Sequence, residues 1–452
     1  MGRLFGTNGV RGVTNEGLTV ELVLDLARAA GTILGPGKFA IARDSRYGGR
    51  MFYNAAISGL LSTGCSVVDV GLVPTPTLQF MIPKLSCVGG VMVTASHNPP
   101  DFNGVKVMGG NGIEVSKEVE AKIEDVYFDK NFKMVDWDSI GEVSKYDAAI
   151  MDFIDSIKSH VDVAAIEKNS FTVVVDGANS VGSLVTPILL REMGCKVLSL
   201  NGQLDGGFPG RNPEPTPENL VKLRETVRSV GANLGIAHDG DADRATFVDE
   251  TGRILWGDQS FAIVASRVLS KKKGSTLVTP VSSGRLIEDV VRNAEAKIDW
   301  TVVGSVVVSH RLEETGAELG GEENGGIFYP PHQPVRDGAM TAAQVIEIMA
   351  VEGKKLSQLV AELPTYFSTK IKLPVPVEKK EALLDMLVEL TDEQERITID
   401  GVKLIFDDGW VLIRPSGTEP LYRCFSEATT QEEANRLAEH GAELIKEAIT
   451  NL

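Results

Sequence analysis

The sequence predicts an α/β fold: three similar mixed-parallel α/β domains and a C-terminal α+β domain, set around a central cleft. Three observations carry this reading. The chain has 452 residues, too many for one hydrophobic core and enough for roughly three or four domains. A strand–helix–strand–helix–strand pattern recurs three times, as α/β domains with mainly parallel sheets require. Past about residue 370 the pattern changes to helices flanking a few strands joined by a tight turn. The domains expected are 1–150, 151–255, 256–370 and 371–452.

The opening, Arg3 to Gly12, is a glycine-dense loop in which Thr7, Asn8 and Arg11 can donate to an oxyanion. A flexible terminal loop is the competing reading. Val20 to Leu34 has helical periodicity and stops at Gly35-Pro36-Gly37. The first strands of the three units are Phe39–Ala42, Thr172–Val175 and Thr276–Val278. Arg43-Asp44-Ser45, Asp176 to Ser180 and Ser282-Ser283-Gly284 come directly after them. The second strands are Ser66–Val70, Lys196–Leu200 and Asp299–Val303; the third are Gly90–Val93, Ala232–Ala237 and Ala317–Leu319. Ligands of open α/β sheets bind beyond the carboxyl ends of strands, so the loop after each third strand is the place to look.

Leu373 to Val377, with Pro374 and Pro376, reads as a boundary and a hinge. Beyond it, Lys379–Leu390 and Thr430–Ile449 read as amphipathic helices. Thr398–Phe406 and Trp410–Ile413 read as strands joined by an Asp408-Gly409 turn.

Composition limits the function. A formal net charge of −17 argues against a general binder of nucleic acid or anionic membrane, though a small anionic ligand remains open if a local cationic patch exists. Apolar runs are short and interrupted, predicting no transmembrane span and no signal peptide. The four cysteines, Cys65, Cys87, Cys195 and Cys424, are scattered without a CxxC spacing. That predicts reduced thiols and a cytoplasmic protein rather than zinc or disulfides.

The first loop is Thr94-Ala95-Ser96-His97-Asn98-Pro99-Pro100, a small polar stretch that two prolines keep irregular. It presents Ser96 on a stiff turn beside His97. The second, His238 to Arg244, puts Asp239, Asp241 and Asp243 at alternate positions. In an extended segment those carboxylates share one side and can converge on a hard cation such as Mg²⁺. The other readings are an exposed acidic turn or an EF-hand, but Arg244 stands where an EF-hand needs glycine. The third, Gly320 to Gly326, has no cations; Glu322, Glu323 and Asn324 suit the hydroxyls of a sugar. Near the C-terminus, Ser416-Gly417-Thr418 between Arg414 and Arg423 is a phosphate clamp by composition, against the alternative of a polar hairpin with incidental arginines. A serine facing a metal, a polyol reader and a phosphate clamp together suit phosphoryl transfer on a sugar phosphate.

Four ordered segments, Thr94 to Pro99, Asp239 to Arg244, Gly321 to Gly326 and Arg414 to Pro420, resemble those of the α-D-phosphohexomutase superfamily. The likeness is nearest to its archaeal-type phosphoglucosamine and phosphomannose/phosphoglucose mutases, and it spans essentially the whole chain. The resemblance implies four domains around a cleft and interconversion of hexose 6-phosphate and hexose 1-phosphate. Ser96 matches the phosphoserine, and a hexose 1,6-bisphosphate is the implied intermediate and activator. Asp239, Asp241 and Asp243 match Mg²⁺ ligands, with the phosphoserine supplying another oxygen. Arg244 matches an arginine that supports this site and is counted with the substrate contacts. Arg11 and Lys106 match basic residues near the transferring phosphate, with Lys106 the one implied in proton transfer and His97 an assisting histidine. Glu322 and Asn324 match sugar contacts. Arg414, Ser416, Gly417, Thr418 and Arg423 match the clamp for the phosphate that stays. The implied partners are small-molecule sugar phosphates, with no nucleic acid or membrane, for a monomer or a homo-oligomer.

Two departures concern sugar choice. Many relatives have Glu-x-Ser-Gly-His where this chain has Glu322-Glu323-Asn324-Gly325-Gly326, and Thr301 to Ser305 lacks a basic residue common before the Val-Gly pair. Glucosamine phosphate is the favoured expectation, ahead of a broad mannose/glucose mutase. A phosphoserine-dependent sugar phosphatase and a noncatalytic sugar-phosphate binder are the remaining alternatives.

Overall fold

The computed structural model describes residues 4–416 and 420–450. The first three sheets share one plan. In each, the first strand lies between the second and third, all parallel, and a fourth strand returns antiparallel beside the third. In the first sheet these strands are Lys38–Arg43, Ser66–Leu72, Gly89–Val93 and Phe102–Gly109. In the second they are Thr172–Asp176, Lys196–Leu200, Leu234–His238 and Ala245–Asp249. In the third they are Thr276–Pro280, Lys297–Thr301, Leu319–Gly321 and Ile327–Tyr329, with Gln333–Arg336 added at the edge. The loop after each third strand is therefore the tip of a hairpin, and those tips carry Ser96, the aspartates and Glu322.

Short runs of small and apolar residues explain the central strands. Gly89–Val93 and Leu234–His238 are buried at every position, as strands covered on both faces should be. Each fully buried Val, Leu or Ile there contributes about 1.5–3 kcal/mol from the loss of apolar surface to water. Helix Val20–Leu34 starts where Thr19 Oγ1 accepts from Leu22 N–H, and helix Gly338–Glu352 starts where Asp337 accepts from Ala339 and Met340. The second and third domains share one continuous core, into which His332 packs against Phe80 and Phe153. All four cysteines are buried and free. Among the described residues no helix is long and apolar enough to cross a membrane.

The structure corrects several sequence expectations. Val10–Val13, expected within a loop, is an edge strand paired antiparallel with Phe102–Val105. Its backbone has a free strand edge to join, which overrides the glycines. The expected boundary at Leu373–Val377 is not a linker: Phe367–Pro374 is a strand of the last sheet, paired along its length with Leu421–Ala428. Pro374 is tolerated at the end of an edge strand. That sheet is wholly antiparallel, in the order Phe367–Pro374, Leu421–Ala428, Gly409–Pro415, Val402–Phe406, Arg396–Ile397. The hairpin turn falls on Asp407-Asp408, because Gly409 already pairs with Phe406. Two other strands, Lys297–Thr301 and Leu319–Gly321, lie two residues from where apolar character alone sets them.

Candidate active site

Ser96 sits in the left-handed region at φ 49°, a conformation that costs a non-glycine residue roughly 1–2 kcal/mol. The surroundings hold it there. Ser96 N–H donates to Thr94 Oγ1 (2.9 Å), and Asn98 N–H closes the turn on Ala95 O (3.0 Å). Ser96 Oγ donates to Asp239 Oδ2 at 2.8 Å and lies 3.4 Å from His97 Nδ1. The two hairpins touch closely: a Cβ on Gly240 would stand 2.3 Å from Ser96 O, so only glycine fits there.

The aspartates converge for a different reason than the sequence suggests. Strand Leu234–His238 ends before them, and residues 239–244 form a hairpin turn with Ala242 at φ 58°. Curvature, not alternation along an extended strand, brings the carboxylates together. Asp239, Asp241 and Asp243 are buried, and one oxygen of each lies within 4.8 Å of the others. Asp241 Oδ1 and Asp243 Oδ1 are buried without a hydrogen-bond partner. An all-oxygen set with unused buried lone pairs fits a hard divalent cation.

Cations surround the aspartates. Lys106 Nζ, 1% exposed, lies 2.9 Å from Asp241 Oδ2 and 3.4 Å from both Asp243 Oδ2 and Glu114 Oε1. Burial works against its charge, but Asp241, Glu114 and Asp243 outweigh that and hold the ammonium above its ordinary pKa. Burial likewise opposes the charge of Asp241, yet Lys106 and the 2.6 Å hydrogen bond from Thr75 Oγ1 keep it well below the usual carboxylate range. Asp239 is pushed up to about 7 by burial and by its two neighbouring aspartates, with Arg244 opposing. Arg244 donates to Asp239 Oδ2 (3.1 Å) and grips Glu214 with both terminal nitrogens (2.9 and 3.1 Å). Arg11 donates to Asn98 Oδ1 (2.7 Å) and Ala95 O (3.3 Å), on the serine hairpin. His97 is lowered to about 4 by desolvation in the cleft and by Arg244, so its ring is neutral at pH 7.

Arg336 joins the second and third hairpins. Its guanidinium reaches Asp243 Oδ2 (2.5 Å) and Glu322 Oε2 (3.4 Å). It also lies across Gly326, where a Cβ would meet Arg336 Cδ at 2.4 Å. Asn324 Oδ1 accepts from Gly326 N–H (3.0 Å), closing its own turn. Asn324 and Arg244 line a cavity of about 570 Å³, together with Trp256, Glu323 and, from the last sheet, Lys370, Trp410 and Glu427. Of the expected clamp residues, Arg414, Ser416 and Arg423 stand apart from this lining. Arg414 pairs with Asp400 Oδ2 (3.0 Å), which also accepts from Val303 N–H in the third domain (2.9 Å). Ser416 O accepts from Lys380 Nζ (2.6 Å), and Arg423 pairs across the strands with Arg414. Gly417 and Thr418 lie outside the described residues.

Comparison with known proteins matches this chain to phosphoglucomutase/phosphomannomutase alpha/beta/alpha domain I over residues 2–134, domain II over 151–252, domain III over 256–367, and the C-terminal domain over 371–444. The chain belongs to the phosphoglucomutase/phosphomannomutase family. It is 47% identical to a phosphoglucomutase/phosphomannomutase of Thermococcus kodakarensis, covering 99% of this chain and 100% of the relative. It is 44% identical to a phosphoglucosamine/phosphogalactosamine mutase of Sulfurisphaera tokodaii, covering 97% and 98%. Among solved structures, a phosphoglucomutase/phosphomannomutase family protein of Burkholderia thailandensis superposes with a TM-score of 0.88 at 29% identity, over 98% of this chain and 97% of that one. An N-acetylphosphoglucosamine mutase of Aspergillus fumigatus, in complex with GlcNAc-6P and magnesium, shares the fold at a TM-score of 0.62 and 18% identity, over 99% and 96%.

Several residues of this family member's site escape sequence reasoning. Thr75 opens helix Thr75–Lys84 and reaches Asp241 across the domain boundary. Glu214, from the long connection before helix Val221–Val230, anchors Arg244. Arg336 is adjacent to Asp337, whose position before a helix is a legible cap signal, but nothing local points its side chain at Asp243. Trp256 carries a signal of sorts: a tryptophan that is 64% exposed beside a cavity.

Proposed function

We propose that this protein is a phosphohexose mutase interconverting hexose 6-phosphate and hexose 1-phosphate through a phosphoryl group on Ser96 and a hexose 1,6-bisphosphate intermediate. Hexosamine phosphates are the favoured substrates, and the protein acts in the cytoplasm. The observation that carries the reading is Ser96 Oγ, 2.8 Å from Asp239 within a converging set of three buried aspartates. Full-length likeness to mutases acting on glucosamine, galactosamine, glucose and mannose phosphates supports the reaction class.

Asp239, Asp241 and Asp243 would each give an oxygen to Mg²⁺, which supplies charge neutralisation to the phosphoryl oxygens during in-line transfer. In the first half-reaction a sugar hydroxyl attacks phosphorus, its O–P bond forms, the Ser96 Oγ–P bond breaks, and the hydroxyl's proton goes to Ser96 Oγ. In the second, Ser96 Oγ attacks the other phosphate of the bisphosphate, its Oγ–P bond forms, the sugar O–P bond breaks, and the serine's proton goes to the departing sugar oxygen. Lys106, the residue implied in proton transfer, relays that proton in each direction, with His97, 3.4 Å from Ser96 Oγ, assisting. Arg11 stays charged beside the transferring group. Glu322 and Asn324 accept from sugar hydroxyls, while Arg414, Ser416, Gly417, Thr418 and Arg423 hold the phosphate that stays.

The test is initial-rate kinetics on protein primed with a sugar 1,6-bisphosphate and Mg²⁺, using the 1- and 6-phosphates of glucosamine, mannose and glucose, with Ser96→Ala as control. Isomerisation with phosphate mapped to Ser96 is the expected result. Release of inorganic phosphate without isomerisation would make the protein a phosphatase. Neither turnover nor phosphorylated Ser96 would make it a binder.

A further inference from the structure

We propose that Arg46 is the positioning residue for the phosphoryl-carrying serine, and that the second domain completes its seat through Phe208. The kinetic part of the proposal rests on the mutase reading; the structural part does not.

Arg46 is the fully buried residue on which the Ser96 hairpin closes. Nη2 donates to Ser96 O (2.7 Å) and Asn98 O (2.6 Å), and Nη1 donates to Pro99 O (2.7 Å) and Phe102 O (3.0 Å). Four carbonyls of one hairpin thus converge on one guanidinium. Pro99 and Pro100 lack N–H groups, so the loop has few donors of its own; of the four carbonyls, Pro99 O also accepts from Phe102 N–H (3.1 Å). The other side of Ser96 belongs to the same network. Asp44 lies 3.2 Å from Arg46 Nε and accepts from Arg46 N–H (2.9 Å) and Thr94 Oγ1 (2.6 Å), and Thr94 Oγ1 accepts from Ser96 N–H (2.9 Å). Both peptide groups flanking the Ser96 Cα are tied to the Asp44–Arg46 pair, which fixes its left-handed φ and the direction of Oγ toward Asp239.

The second domain finishes the arrangement. The Phe208 ring lies 4.9 Å from the Arg46 guanidinium carbon and is itself buried. Gly206 bridges to Arg46, and Tyr47 Oη donates to Asp205 (2.7 Å). A Cβ on Gly206 would lie 2.4 Å from Tyr47 N, so the strap lies directly on the chain that carries Arg46. The domain that carries the metal-type aspartates therefore also seats the serine loop of its neighbour.

Lysine is the informative replacement, because it keeps a charge opposite Asp44 but has no planar fork to span four carbonyls. With Arg46→Lys, single-turnover phosphoryl transfer between Ser96 and a sugar bisphosphate should fall about 10²-fold, as for a misplacement of about 1 Å. The KM for sugar phosphate, and the Mg²⁺ dissociation constant of the unphosphorylated protein, should stay within about twofold, since the sugar contacts and the three aspartates are untouched. Phe208→Leu should give the same pattern with a smaller fall, and it carries the test if Arg46→Lys does not fold. Amide hydrogen exchange across residues 94–102 should speed up in both variants whatever the parent protein catalyses. Unchanged exchange in that loop, or a loss of rate matched by an equal rise in KM, would overturn the proposal. A parent protein with no transfer activity, but with variants that loosen the loop, would sink the mutase reading alone.

Discussion

Where the last sheet meets the third domain, one buried carboxylate makes the contact sensitive to pH. Glu427, on strand Leu421–Ala428, accepts from Arg285 N–H (2.5 Å) at the start of helix Arg285–Asn293, and from Trp410 Nε1 (3.3 Å). Burial pushes its pKa from 4.5 up to about 7, against the Arg285 hydrogen bond and with Asp258 adding to the rise. The folded protein thus holds this proton more tightly than the unfolded chain does. Stability from this residue is fully present below about pH 4.5 and is lost as pH rises toward 7, after which no further loss occurs. At about 1.4 kcal/mol per pH unit, the loss is about 3 kcal/mol for a side chain whose residue is only 8% exposed. Glu427→Gln keeps the acceptor oxygen and removes the titration. Urea unfolding followed by tryptophan fluorescence suits the contact, because Trp300 and Trp410 both lie against Lys403 within it, at 4.6 and 4.5 Å. The stability of the variant relative to the parent should climb by about 3 kcal/mol between pH 5 and 8. Parallel curves for the two proteins would refute the reasoning.

Three further outcomes are expected. Lys106→Met should cost about 3–5 kcal/mol, because it leaves Asp241, Asp243 and Glu114 close together without their shared cation. Urea unfolding measures this, and added Mg²⁺ should recover part of the loss; a change under about 1 kcal/mol would mean that water reaches the network. Asp241→Asn should weaken Mg²⁺ binding at least about tenfold by calorimetry, and an unchanged isotherm would remove Asp241 from the metal site. Arg336→Ala should raise the KM for sugar phosphates about tenfold by freeing Glu322 from Asp243, whereas lower thermal stability at constant KM would make Arg336 a strut.

The repeated architecture is legible in the sequence because β-branched runs and glycine-bounded helices are local signals. Phe39–Ala42, Ser66–Val70 and Gly90–Val93 fall inside the strands of the first sheet. The motif residues are legible too: Asp239, Asp241 and Asp243 stand out by spacing, while Ser96, on a stretch that alone reads as an ordinary strand-ending loop, stands out only beside the other loops. The hidden features depend on long-range approach. Thr75 and Asp241 are 166 positions apart, and Arg336 and Asp243 are 93 apart, so no window contains both partners. The polar stretch after the first strand reads as Arg43-Asp44-Ser45 and stops one residue short of Arg46. The stiffness of the Ser96 turn looks like the work of Pro99-Pro100, when a guanidinium from another loop provides it. The strand at Phe367–Pro374 is masked by its proline, which signals a break, while pairing with Leu421–Ala428 decides the outcome.

The shared strand plan of the first three sheets has a consequence for how specificity can change. Each hairpin tip is flanked by ladder pairs that fix its two ends: Val93 with Val105, His238 with Ala245, and Gly321 with Ile327. A tip can therefore be rewritten while its stem stays in register, much as a tool bit is exchanged without altering the chuck. The residues proposed as nucleophile, metal ligands and sugar reader occupy separate tips, so the third can drift toward a new sugar while the chemistry proposed for the other two is preserved. Gly326 and Arg336 show one constraint on that freedom: a larger residue at 326 has to be matched by a smaller or redirected one at 336.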